Sequence, residues 1–501
     1  MTVVLGVDLG TSAVKVSAVN KAGKIVAQES FDYPLVPQLK PGYAEQSPED
    51  WVIATTVSIV RLILNDGINA SQIEGISFSG QMHGLVLLDE NYKVLRPAIL
   101  WNDTRTSDQV LEINRKLGAK FVEITGNKAL EGFTLPKILW VKENEPEIFS
   151  KVKVFLLPKD YLRFRMTDKI FTDFSDAAGT VALNVRKKIW SKEIIDAFGL
   201  PQSIFPPLLE SIAFAGNISN SYSEFSGLSK QTKVFAGAAD NAAGAIGAGI
   251  LKTNMVMSSI GTSGVVLKIE QDKNINYHGK IHFFNHGIPN RFYSMGVTLA
   301  AGYSLSWLKN TFGKADSFDD FVKSASNSTV GAKGLMFTPY IVGERTPYAD
   351  GDIRGSFVGI DGIHQRSDFV RAVLEGIVFS FKDIFVLYAQ FGANFDTIVS
   401  IGGGAKSPLW MQIQADIFNK KVISLKNEQG PGIGAAIIAA TGLGWFDSVE
   451  EAAKQFISFG KEYQPNPKNV VRYENLYKIY KQIYPATAKI SHELIDYRRS
   501  L

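Results

Sequence analysis

Two Gly-Thr-Ser triplets, Gly10-Thr11-Ser12 and Gly261-Thr262-Ser263, each sit between two apolar runs, in VDLGTSAVKV and SSIGTSGVVL. A tight turn of this composition presents backbone N–H groups and hydroxyls on one concave side, which cradles phosphate oxygens. Two such turns facing one another would hold the β- and γ-phosphates of a nucleotide. The copies differ two residues before the glycine, where the first has Asp8 and the second Ser259. An isolated Asp there reads as a bond to a turn amide, but beside a doubled phosphate turn its carboxylate is placed to hold hydrated Mg2+.

Other segments carry chemistry of their own. GAADNAAGAIGAG sets Asp240 and Asn241 in a run of Gly and Ala. Residues this small let a ligand approach the carboxylate while limiting water, which suits a general base, although Asp-Asn is also ordinary turn chemistry. GQMHG, 80–84, offers Met82 to line a small pocket and His83 to bond a polyol hydroxyl; a lone loop His otherwise caps or is solvated. TIVSIGGGAKSPLWMQIQADI, 397–417, reads as a strand, a glycine turn and a helix whose bare backbone adenosine can approach, or as a turn required by packing. His278, His282 and His286 recur every four residues, but Gly279, Gly287 and Pro289 break a helix and no HExxH forms, which disfavours a metal site. No P-loop motif occurs and no GxGxxG follows a strand, so a nucleotide would have to bind by other means.

These residues need strands and helices to place them. Residues 3–9 and 13–19 read as strands around Gly10, with a turn at 21–23 and a further strand after it. Ser47 and Pro48 open a helix with Ile53, Val57, Val60 and Leu64 on one face, closed by Gly67. Short strands at 73–80 and 84–89 flank GQMHG. The second half repeats the scheme at 255–269, 291–299, 368–385 and 397–404. Near the C-terminus Tyr473, Leu476, Tyr477 and Tyr480 recur at helical spacing as a core stripe. Strands feeding glycine turns and alternating with amphipathic helices define an α/β protein. The matched triplets point to a duplication, with a hinge expected at 237–250.

The chain has 501 residues, more than one core usually holds, so two domains are expected. A net charge of +4 from 53 basic and 49 acidic residues argues against a nucleic-acid or anionic-membrane surface and for small-molecule partners. With no cysteine there are no disulfides, no thiolate nucleophile and no Cys-based zinc site. Asp8 interrupts any signal-like apolar run. The Gly/Ala stretch at 431–446 is shorter than the roughly 18 to 20 apolar residues that span a bilayer. A cytoplasmic protein is expected.

Taken together, GVDLGTSAVKV, MSSIGTSG, GFTLPKILWVKEN (132–144), PYIVGERTPYAD (339–350) with RGSFVGI and RAVLEG, and SIGGGAKSPLWMQIQADI resemble the motifs of the FGGY family of carbohydrate kinases, in that family's order and over essentially the whole chain. The resemblance implies a two-lobed actin-like ATPase (ribonuclease H-like) α/β fold with duplicated domains, 1–246 and 247–501, and a cleft between them. It also implies ATP and Mg2+ as cofactors. GQMHG, RPAILWNDTR, ITGNKALEGFTLPKILWV, LLPKDYLRFRMT and TDFSDAAGT resemble the ketopentose-phosphorylating branch, which implies D-xylulose as acceptor; gluconate, ribulose or another polyol is the alternative. By the same resemblance Asp240 is the base, Asp8 the carboxylate near Mg2+, and Met82 and His83 the sugar contacts, with Asn102, Asp103 and Asn241 as further substrate candidates. Thr11, Ser12, Gly261, Thr262, Gly302, Gly403 and Ser407 become nucleotide contacts. The segment GAADNA carries Ala238 and Ala239 where that branch often has glycines. A homodimer is the family expectation. An actin-like chaperone or filament protein is a rival from another class, and a sugar-responsive regulator a second, though no basic helix-turn-helix arm supports it.

Overall fold

The computed structural model describes residues 2–37, 40–428 and 430–501. From the N-terminus, β1 (Val3–Leu9), β2 (Ala13–Asn20) and β3 (Ile25–Asp32) form an antiparallel meander. Helix α1 (Pro48–Leu64) follows, with Pro48 in its first turn and Glu49 and Asp50 favouring its N-terminal dipole. The helix stops before Gly67, which takes a left-handed φ of 71°. Strand β4 (Ile73–Gly80) then pairs parallel with β1, setting Asp8 opposite Ser79 and Leu9 opposite Gly80.

After β4 come α2 (Thr134–Asn144), α3 (Pro158–Thr167) and the short α4 (Phe174–Gly179). Strands β5 (Phe214–Asn217), β6 (Lys233–Phe235) and β7 (Ala238–Ala239) complete a seven-stranded sheet of order β5-β6-β4-β1-β2-β3, with β7 also on β4. Helix α5 (Asp240–Gly247) leaves directly from β7.

The second half opens with β8 (Met255–Ile260) and β9 (Gly264–Glu270), an antiparallel hairpin, then β10 (Phe292–Thr298) and α6 (Gly302–Phe312). The 25-residue α7 (Arg366–Gln390) precedes β11 (Thr397–Gly402), α8 (Pro408–Phe418) and β12 (Lys421–Leu425). Next are α9 (Pro431–Gly442), β13 (Phe459–Tyr463) and α10 (Pro467–Arg499). A second seven-stranded sheet runs β10-β9-β8-β11-β12-β13, with the short strand His282–Asn285 on the outer side of β10. Its β8–β9 hairpin with β11 parallel to β8 repeats the arrangement of β1, β2 and β4. Tyr473, Tyr477 and Tyr480 of α10 are buried, as their spacing predicts.

The chain forms two compact units, and neither is a continuous stretch. The first holds Met1–Leu251, Ile269–Tyr293 and Gln429–Ile457; the second holds Lys252–Lys268, Ser294–Glu428 and Ser458–Leu501. The expected division after residue 246 falls inside α5, so the chain crosses between units more than once.

In the first unit α9 lies on β1 and α5. A Cβ on Gly6 would come within 2.1 Å of the Gly432 carbonyl, and one on Gly434 within 1.9 Å of the Ala243 carbonyl. The 237–250 stretch expected as a hinge is thus β7 and a buried helix, small because another helix packs tightly on it. The Gly/Ala run at 431–446 supplies that partner helix. No helix among the described residues is long and apolar enough to cross a membrane.

Candidate active site

Asp240 owes its position to β7. Ala238 and Ala239 pair with Ser79 and Gly80 at the end of β4, so the next residue emerges at the strand ends as the first residue of α5. Its Oδ1 accepts from the Asn241 backbone N at 2.6 Å and from Asn241 Nδ2 at 2.9 Å. Asn241 Nδ2 also lies 3.6 Å from Met82 Sδ, toward which the Tyr293 hydroxyl points at 3.7 Å. Three stretches far apart in sequence, at Met82, at Asp240 with Asn241, and at Tyr293, therefore meet in the first unit. Burial and then the charge of Asp8 push the Asp240 carboxyl up to about 7, against the Asn241 bonds. Asp8 itself is raised to about 6 by burial, opposed by the neighbouring Ser79 hydroxyl and by Lys15 across the hairpin.

His83 occupies a left-handed φ of 68°. Its Nδ1 lies 2.8 Å from the Gly179 carbonyl, and its ring sits edge-on to Phe133 with centroids 4.7 Å apart. The His83 carbonyl accepts from Thr134 Oγ1 at 3.1 Å and from Lys137 Nζ at 2.8 Å. Lys137, fully buried, has its ammonium pKa pulled down to about 7 by desolvation. The 132–144 segment thus holds the loop that presents Met82 and His83.

Asn102 is exposed, whereas Asp103 is fully buried. The Asp103 carboxylate accepts from the Ala44 backbone N at 2.7 Å and from Arg105 Nη2 at 2.6 Å. These bonds tie the Asp103 loop to Ala44 and Arg105. Next to it, Trp101 is 45% exposed and donates from Nε1 to Thr11 Oγ1 at 2.9 Å. Trp101 and Tyr293 were not among the expected site residues. The first sits within the recognisable RPAILWNDTR; the second had no local signal.

The first Gly-Thr-Ser turn closes with Gly10 N donating to the Ala13 carbonyl at 3.0 Å, and the second with Gly261 N donating to the Ser263 carbonyl at 3.0 Å. Gln46 Nε2 holds the Thr11 carbonyl at 2.5 Å, while Ser12 is exposed. In the second unit Gly302 N donates to the Gly261 carbonyl at 2.8 Å, and Tyr303 N to the Thr262 carbonyl at 3.0 Å, docking the N-terminus of α6 on the turn. Ile260 pairs with Gly402, and a Cβ on Gly402 would sit 2.6 Å from the Ile260 carbonyl. Gly261, Thr262, Gly302 and Gly403 therefore lie together at the ends of β8 and β11, with Thr262 the one side chain among three glycines. Ser407 caps α8 by accepting from Trp410 N.

The three histidines have separate duties. His282 Nδ1 lies 2.9 Å from Asn127 Oδ1. His286 Nδ1 accepts from Ile288 N at 3.1 Å, with burial holding the ring's pKa down at about 3. His278 sits in a turn at a φ of 52°. For Mg2+, the chemistry of the Asp8 neighbourhood fits: a buried carboxyl beside a hydroxyl offers hard oxygen ligands, and a cation there would restore the ionised form that burial disfavours.

Residues 3–247 match the N-terminal domain model of the FGGY family of carbohydrate kinases, and residues 256–443 the C-terminal domain model. The chain is 52% identical over 500 residues to a xylulose kinase of Bacillus subtilis (strain 168), covering 100% of both. Among solved structures, ligand-bound xylulose kinase from Lactobacillus acidophilus superposes with a TM-score of 0.92 at 30% identity, over 97% of this chain and 99% of that one. A gluconate kinase from the same organism gives 0.91 at 30% identity, over 97% and 98%. The backbone is therefore the two-lobed actin-like ATPase fold, and its likeness to the two kinds of kinase is nearly equal.

Proposed function

The chain belongs to the FGGY family of carbohydrate kinases, and from that premise we propose that it transfers the γ-phosphoryl group of ATP to O5 of D-xylulose, with Asp240 as general base. The observation that carries the reading is the meeting of Asp240, Asn241 and Met82 at the end of β4, beside a second carboxyl, Asp8. Full-length identity of 52% to a xylulose kinase supports the choice of sugar.

In the reaction Asp240 accepts the proton of the O5 hydroxyl as the O5–phosphorus bond forms and the bond from phosphorus to the β-phosphate oxygen breaks, releasing ADP. Asn241 fixes the carboxylate through Oδ1, and Oδ2 is the oxygen assigned to the sugar hydroxyl. Met82 and His83 line the acceptor side. The surface of Gly261, Thr262, Gly302 and Gly403 suits the nucleotide, because at its three glycines no Cβ keeps a ligand from the backbone. Phosphoryl transfer needs positioning and charge neutralisation more than covalent help. Mg2+, held by Asp8, would neutralise phosphate charge. Dependence on ATP supports a cytoplasmic location.

ADP release measured with D-xylulose, D-ribulose, L-ribulose, gluconate and glycerol tests the substrate. A marked preference for D-xylulose is expected, and a preference for any other acceptor overturns it. Asp240→Ala is expected to keep nucleotide binding and lose at least about a hundred-fold in turnover, the lower end of general-base effects. Near-normal turnover in that variant would remove Asp240 from the role.

A further inference from the structure

Beneath the end of β4 lies a group of ionisable side chains that the reaction does not use. Lys159, Asp160, Arg163, Asp173 and Asp176 are all fully buried. The Lys159 ammonium sits 2.6 Å from Asp160, 2.7 Å from Asp173 and 3.2 Å from Asp176. Those three carboxyls are close enough together to hold a metal ion, and Lys159 already fills the place such an ion would take. Two cations face three carboxyls, and burial raises the Asp176 carboxyl well above the usual range.

Burying this many charges carries a large desolvation cost, and replacing such clusters with apolar residues is often neutral or stabilising. Stability alone is therefore a weak reason for the cluster. Its contacts supply another. Asp173 Oδ2 accepts from Ser175 Oγ at 2.5 Å, and Ser175 Oγ accepts in turn from the Ala239 backbone N at 3.0 Å. Arg163 Nη1, 2.7 Å from Asp160, donates to the Ala236 carbonyl at 2.8 Å. Lys159 also packs under Gly80, where an added Cβ would lie 2.7 Å from its own Cβ. The cluster thus grips both ends of the 236–239 segment, and the next residue along the chain is Asp240.

We propose that Lys159, Asp173 and Ser175 form a positioning relay: Lys159 acts as a built-in cation that fixes Asp173, Asp173 fixes Ser175, and Ser175 holds the Ala239 amide so that the Asp240 carboxylate points at the acceptor hydroxyl. The inference rests on the assignment of Asp240 as base. The relay moves no proton and touches no substrate. It acts on geometry alone, and a displacement of about 1 Å in a reacting group can cost up to about a hundred-fold in rate.

The test is a double-mutant cycle between Ser175→Ala and Asp240→Asn in the full-length enzyme, read as kcat and KM for sugar and ATP alongside the melting temperature. Ser175→Ala is expected to lower kcat about tenfold, with both KM values within about twofold of the parent. In the Asp240→Asn background the same substitution is expected to change kcat by less than about twofold, because the group it positions is gone. Asp173→Asn keeps the side-chain shape but removes the charge that Lys159 fixes. It serves as a second variant on the same axes should Ser175→Ala fail to fold, and the same kcat-selective loss is expected of it. Unchanged kcat in a folded relay variant, or an equal loss in both backgrounds, overturns the relay. Wild-type turnover in Asp240→Asn alone overturns the base assignment instead, and is recognised before the cycle is completed.

Discussion

Asp240 must be ionised to take the proton of an attacking hydroxyl, and its surroundings oppose ionisation. Burial is the larger cause and the charge of Asp8 the second, which together bring the carboxyl up to about 7. Below that pH the protonated acid cannot act as a base, so kcat/KM for the sugar should fall about tenfold per unit on the acid side and level off above about 7. A pH profile of ADP release checks this. An acid limb centred near 4, the ordinary range for an Asp, would mean that the carboxyl is not desolvated during turnover; persistence of the limb in Asp240→Asn would assign it to another group. Asp103 shows how local context decides a residue's work. Both Asp103 and Asp240 stand beside an Asn, yet Asp103 is drawn into the guanidinium of Arg105, only two positions away.

At the scale of elements, the strands around Gly10 and Gly261 were legible because an apolar run, a glycine turn and a second apolar run have few other solutions. The start of α1 was legible from Pro48 and the acids after it. The two Gly/Ala-rich stretches were not. Small residues mark a flexible hinge and a tight helix pair alike, and only the partner distinguishes them; α5 and α9 lie nearly two hundred residues apart, so neither names the other. Tyr293 escaped notice for the same reason, since Met82 brings it to the site across 211 positions. The packing has a measurable consequence. A Cβ on Gly434 would meet the Ala243 carbonyl at 1.9 Å, and backbone cannot yield as a side-chain tip does. Gly434→Ala should therefore cost about 1–3 kcal/mol, the usual range for overpacking. Gly362, whose added Cβ meets nothing within 4 Å, should accept Ala within about 0.5 kcal/mol. Denaturant unfolding of both variants measures the difference, and equal stabilities would count against a tight α5–α9 contact.

Across the whole molecule the two units carry the same strand-turn-strand core but different chemistry. The first keeps Asp8 ahead of its turn and gathers Asp240, Asn241, Met82 and Tyr293. In the second, Ser259 takes the place of Asp8, opposite Ile401, and the ground beyond the turn is glycine. The proposed function gives the acceptor to the first unit and the nucleotide to the second, and that division predicts separable defects. Met82→Ala should raise KM for the sugar about tenfold while leaving ATP binding within about twofold, because it removes the side chain packed against Asn241 and Tyr293. Gly302→Ala should do the reverse: its Cβ would come within 2.5 Å of the Gly261 carbonyl, prising α6 from the second turn, so nucleotide affinity should fall at least about tenfold with sugar affinity retained. Calorimetry with a nonhydrolysable ATP analogue and quenching of the exposed Trp101 by sugar read the two affinities independently. If Gly302→Ala weakened sugar binding as strongly as nucleotide binding, the two functions would not be divided between the units, and the glycine surface would lose its assignment to the nucleotide.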